Sequence, residues 1–116
     1  MTVYVDDMQA EFKPSHAGAR GRTYVMSHMI ADTEQELHAM AAAIGLARKW
    51  YQGDHYDIAK SKRALAIKLG ARAITMRQLG CMANNRRCGW PTGTPETAEA
   101  ITHDRFAERG GRPIEW

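Results

Sequence analysis

Gly53-Asp54-His55-Tyr56-Asp57 places an imidazole, a phenol and two carboxylates behind a turn glycine with no spacer. A second cluster, Ser27-His28-Met29-Ile30-Ala31-Asp32-Thr33, sets another His and Asp just ahead of a helix signal. Such groups are costly to bury unless paired or ligated, so two clusters in a short chain point to one shared polar site. His55 and Asp57 are two apart and share a face of any extended segment. Joined by His28 and Asp32, they could hold a divalent ion, because imidazole with carboxylate suits zinc, manganese or iron. The same residues could instead form a buried hydrogen-bond network that pins a loop to a helix start.

Other side chains have a place around such a site. Asp6 and Asp7 follow a β-branched and aromatic run and read either as further ligands or as the polar end of a strand. His38 lies beside the apolar stripe of the first helix, at its boundary. Trp50 and Tyr56 are candidates for contact with a ligand, and the pair Trp50 and Tyr51 could stack on a base. Lys62 and Arg63 come soon after Asp57 and could hold phosphate, Arg63 through a bidentate fork. Each also has an ordinary reading: a solvated helix face for the cations, core for the aromatics, and capping for Glu36.

The elements that would position these groups follow from local signals. Thr2 to Asp6 reads as a strand, and Tyr24 to Ile30 as a second, with Tyr24, Met26, His28, Ile30 and Asp32 on one face if it runs that far. Residues 9–22, with Pro14, Gly18, Gly21 and three cations, read as a mobile basic loop. Thr33-Glu34-Gln35-Glu36 is a capping box ahead of Leu37, Met40, Ala41 and Ile44, with Gly45 as the stop. Leu46 to Gln52 reads as a short extended segment leading into Gly53. A second helix runs from about Ala59 or Ser61 to Leu69, and Arg72 to Thr75 forms a short strand. Thr75 then caps a third helix through Leu79, Met82 and Ala83. Gly89 to Pro95 is a linker, and Pro95 opens a weakly amphipathic helix to about Arg109.

This order predicts an α/β fold: a single compact domain with a small, mostly parallel or mixed sheet of about four strands and three helices. Its boundaries are 1–88 for the domain and 89–116 for the linker and C-terminal extension. In such folds reactive groups gather at the carboxyl ends of strands. Asp6, Asp32 and the Asp54–Asp57 segment would meet there.

The 116 residues suit one core, and the 44% hydrophobic and 25% charged fractions are ordinary for a globular chain. Residues 1–58 carry 5 cations and 8 anions, and residues 59–116 carry 11 and 5. An acidic half suits a cation, and a basic half suits phosphate or nucleic acid. No apolar run could cross a membrane, and the N-terminus lacks the features of a signal peptide, so a cytoplasmic location is expected. Cys81 and Cys88 match no zinc-knuckle spacing and read as reduced thiols.

Val3-Tyr4-Val5-Asp6, Ser27-His28, Asp32-Thr33, Glu36-Leu37-His38-Ala39 and Gly53-Asp54-His55-Tyr56-Asp57, with Lys62-Arg63-Ala64 and Gly70-Ala71, together carry a resemblance. Over roughly residues 1–83 the chain resembles a short phage and bacterial family catalogued as domain of unknown function four thousand and thirty-one. The resemblance implies an origin in phage or bacterial genomes. In some bacteria a similar domain sits ahead of an HD-type phosphohydrolase domain, which these residues do not contain. It brings no settled activity.

The expected function is a small phage-type protein whose His/Asp-lined site takes a nucleotide, nucleic acid or other phosphate-containing ligand, as a metal-assisted phosphoester hydrolase. Asp6, Asp32 and Asp57 would hold magnesium, manganese or zinc, His28, His55 and Asp57 would do the chemistry, and His38, Trp50, Tyr56, Lys62 and Arg63 would line the ligand. A non-catalytic protein that sequesters a nucleotide signal is the second expectation. An accessory module docking on nucleic acid or protein through its basic half is the third. A homo-oligomer is compatible with all three.

Overall fold

A computed structural model describes residues 2–12 and 23–108 of the chain. They form an α/β fold with a five-stranded mixed sheet and four α-helices. Two compact units divide between Ala73 and Ile74.

The first unit holds β1 (Val3–Val5), β2 (Ala10–Phe12), β3 (Tyr24–Ala31), α1 (Glu34–Ala43), a 3-10 turn (Arg48–Trp50), β4 (Tyr56–Ala59), α2 (Lys60–Lys68) and β5 (Arg72–Ala73). The eight-residue β3 is its hub. One edge of β3 pairs antiparallel with β1 through Val3↔Ala31 to Val5↔Met29, and then with β2 through Ala10↔Met26 to Phe12↔Tyr24. The other edge pairs antiparallel with β4, His28 lying opposite Asp57. Only β5, beside β1, is parallel to its neighbour. The sheet is therefore mixed and mostly antiparallel, because β3 runs against all three strands that pair with it.

Strand alternation divides the residues between two faces. Val3, Val5, Met29, Ala31, Tyr56 and Ile58 join Leu37, Ala41 and Ile44 of α1 and Ala66 of α2 in one buried apolar cluster. Both helices thus cover the same face, where burial of these side chains supplies the unit's main stabilisation. The opposite face carries Tyr4, Asp6, His28, Ile30 and Asp57.

Local signals set the helix boundaries. Glu36 N donates to Thr33 Oγ1 at 3.2 Å, while the Thr33 hydroxyl donates to Glu36 Oε1 at 2.9 Å. The glutamate thus returns to the hydroxyl rather than to the backbone N–H of a complete capping box. α2 begins and ends within a residue or so of its expected bounds. Two expectations change. Ala10–Phe12, assigned to a loop, is a strand because it continues the β1 edge along β3; residues 13–22 lie outside the described residues. Leu46 to Gln52, expected to be extended, contains the 3-10 turn, and only Tyr51 bridges, to Tyr56. The strand proper follows Gly53, whose φ of +91° makes the turn that a side chain would strain.

The second unit pairs α3 (Met76–Arg87) with α4 (Ala98–Glu108). Pro95 stands in a turn ahead of α4 rather than in its first position. The buried Asn85 donates to the carbonyls of Thr92 and Ala98 and accepts from Thr102 Oγ1 at 2.6 Å, tying the connecting segment to both helices. Thr75 and Gln78 form the complete capping box: Gln78 N donates to Thr75 Oγ1 and Thr75 N to Gln78 Oε1, at 3.1 and 2.9 Å. Thr75→Ala is expected to cost about 1 kcal/mol in urea denaturation. An unchanged midpoint would mean the cap contributes nothing.

Candidate functional site

Asp6, His28 and Asp57 form a row across three neighbouring chain segments on the sheet face that α1 and α2 leave uncovered. Where β1 ends, the Asp6 backbone N–H still donates to the His28 carbonyl at 3.0 Å. Its carboxylate then takes over the ladder: Oδ1 accepts the His28 backbone N–H and Oδ2 meets His28 Nδ1, both at 2.8 Å. Asp6 is fully buried. An ionised carboxylate can only accept, so this contact favours a hydrogen on Nδ1, and a neutral ring then has its lone pair at Nε2.

His55 repeats this arrangement, with Nδ1 2.6 Å from Asp54 Oδ1 and Nε2 turned toward Asp57. Asp57 is held through Oδ2, which accepts from Gln52 Nε2 at 2.6 Å. Asp57 Oδ1 is buried and accepts no hydrogen bond. It lies 3.4 Å from His55 Nε2 and 3.7 Å from His28 Nε2, and the two imidazoles stand edge to face at 5.3 Å.

His28, His55 and Asp57 each offer one possible ligand atom, all within 4.8 Å of one another, and all three residues are partly exposed. Ligand bonds of about 2.0–2.2 Å in a tetrahedral site would put neighbouring donor atoms about 3.3 Å apart, near the two His–Asp separations. Each donor also has an outer partner that fixes its orientation: Asp6 for His28, Asp54 for His55 and Gln52 for Asp57. Such outer partners are characteristic of histidine–metal sites. These residues could hold a transition metal with at least one open position.

The structure thus brings together His28, His55 and Asp57, with Asp6 behind His28 rather than facing the shared point. Asp32 lies elsewhere. Because β3 is antiparallel to β1, its C-terminal end meets the N-terminal end of β1, away from Asp6. There Asp32 accepts from Thr2 N and from the Tyr4 hydroxyl. Burial, then the bond to Asp32, pushes the Tyr4 phenol above its ordinary range.

Tyr56 and His38 lie on the helix-covered side. Tyr56, between His55 and Asp57, points into the core and is fully buried. Its hydroxyl donates to His38 Nδ1 at 2.7 Å, while His38 Nε2 lies 3.2 Å from Glu34 Oε1. Tyr51 packs edge-on to His38 at 4.5 Å, and burial is the main cause raising its phenol pKa. Lys62 reaches the Gly45 turn that ends α1. Arg63 Nε donates to the Asp6 carbonyl at 2.7 Å, bracing the residue that orients His28. Trp50 remains 59% exposed.

Sequence reasoning missed Gln52 altogether and gave Asp54 no site role. The Asp54–His55 adjacency was a usable signal. Gln52, five residues before Asp57, offered none. In the second unit both cysteines are free, and burial raises the thiol pKa of Cys81.

No helix among the described residues is long and apolar enough to cross a membrane. No curated protein and no solved structure matches the chain. One family model does, over residues 3–86, a span that includes every residue of the His28–His55–Asp57 site, and the chain belongs to the family described as Protein of unknown function (DUF4031).

Proposed function

We propose that the protein is a metal-dependent phosphoester hydrolase whose ion is held by His28 Nε2, His55 Nε2 and Asp57 Oδ1. The convergence of these three atoms, each on an oriented side chain, is the observation that carries the reading. Two imidazoles favour zinc or manganese over magnesium, which prefers oxygen. With both imidazoles holding the ion, neither would serve as a free base, and the chemistry the ion would supply is a lowered pKa for a water at the site. Water adds to phosphorus, the ester P–O bond breaks, and the departing alcohol takes a proton.

Arg48 and Lys49 precede Gln52, and Arg63 braces Asp6, so cations stand near residues that orient the ligands and favour an anionic substrate. Chelator-treated protein should take up one equivalent of zinc or manganese and hydrolyse bis(p-nitrophenyl) phosphate only when loaded. Absence of uptake in a calorimetric titration overturns the metal site. Uptake without turnover of phosphate monoesters or diesters overturns catalysis and leaves a sequestering module.

A further inference from the structure

Trp50 is the most exposed of the large apolar side chains among the described residues. An indole left in water forgoes the burial that usually accounts for its place in a fold. Its neighbours on the turn, Arg48 and Lys49, are both exposed, and Lys49 Nζ lies 5.2 Å from the indole centroid.

Chain geometry ties this turn to the His28–His55–Asp57 site. Tyr51 has extended backbone, φ −65° and ψ 129°. Its ring turns to the helix-covered side, against His38 and Tyr56. Gln52, two residues after Trp50, reaches Asp57 Oδ2. Cα atoms two apart are separated by about 7 Å at most. The segment is also braced: Gln52 N donates to the His55 carbonyl at 2.9 Å, and the Tyr51 hydroxyl donates to the Gly53 carbonyl at 2.6 Å. The indole is thus carried on the same fixed turn as an orienting partner of the site.

We propose that the Arg48–Trp50 turn is a base-stacking platform and that the ligand of this site is single-stranded nucleic acid. An indole face accepts any base, and flanking cations meet the backbone phosphates, the combination used for single strands without sequence preference. A duplex hides its base faces within the stack and offers the indole nothing but edges. The inference rests on the metal reading for the phosphodiester end of the ligand and adds to it the base end.

The test is fluorescence anisotropy with zinc-loaded protein and labelled twelve-nucleotide oligothymidylate, beside an abasic strand of equal length and a duplex of the same sequence. Oligothymidylate should bind about tenfold tighter than either, the scale of one base–aromatic stack. Trp50→Ala should remove that advantage with no change in zinc content or in abasic-strand affinity, and Trp50→Phe should restore most of it. Equal binding of the abasic strand and oligothymidylate, or an unaltered affinity in Trp50→Ala, overturns the platform. If zinc binds and bis(p-nitrophenyl) phosphate turns over while Trp50→Ala is neutral, the platform fails alone. If no zinc binds but oligothymidylate still depends on Trp50, the hydrolase reading fails and the platform stands.

Discussion

Asp57→Asn is expected to lower zinc affinity more than about 100-fold, beyond the usual effect of losing an outer partner, without weakening the metal-free fold. The two halves of this expectation have one cause. In the metal-free chain Asp57 Oδ1 is buried, accepts no hydrogen bond and is faced by the Nε2 atoms of two imidazoles. An amide keeps the acceptor for Gln52 and offers hydrogens where the carboxylate oxygen had none to give. Satisfying a buried polar atom stabilises by about 1 kcal/mol, so the melting temperature of the metal-free variant should equal or exceed that of the parent. Calorimetry after chelation, with zinc competition against a chromophoric chelator, reads both quantities. A metal-free variant clearly less stable than the parent, with intact zinc binding, would make Asp57 a structural residue.

Asp6→Asn should reach the same ion without touching it. The amide nitrogen would face one of the two donors that the carboxylate now accepts, the backbone N–H or Nδ1–H of His28. Relief comes if the ring changes tautomer, so that Nδ1 accepts from the amide and the hydrogen moves to Nε2. That hydrogen blocks the nitrogen that must bind metal. Zinc affinity should fall about 10–100-fold, and the 15N shifts of the His28 ring should exchange their roles. Stability should drop by about 1–3 kcal/mol, because the bonds are buried and charge-assisted. A loss of stability with neither the tautomer change nor weaker zinc binding would reduce Asp6 to a strand terminator.

What the sequence made legible was mostly local. Thr33 and Thr75 marked helix starts because a cap acts within three residues, and the shared face of His55 and Asp57 followed from a period of two. His28 does lie beside them, but through a cross-strand register that its own neighbours do not encode. Asp32 was misjoined for the same reason: strand ends gather reactive groups only when the strands run parallel, and the antiparallel β3 carries Asp32 to the far end of β1. Tyr56 was grouped with the site because it stands between His55 and Asp57, and His38 because it borders the apolar stripe of α1, whereas alternation sends Tyr56 through the sheet to the core side, where it meets His38. Gln52 and the orienting role of Asp6 arise from contacts across the fold, set by where a turn and a strand edge finish.

The parity of β4 also divides how the family can change over generations. Tyr56 and Ile58 face the core, so substitutions there are screened by whether the chain still folds. His55 and Asp57 point away from this core, so substitutions there would alter the proposed site and leave the core intact. A one-residue insertion between Gly53 and Ala59 would exchange the two roles and lose both, whereas point changes at odd positions could pass through inactive intermediates that still fold. Lineages should therefore vary more freely at positions 55 and 57 while keeping apolar or aromatic bulk at 56 and 58, so that changes to the proposed site leave the scaffold's shape standing.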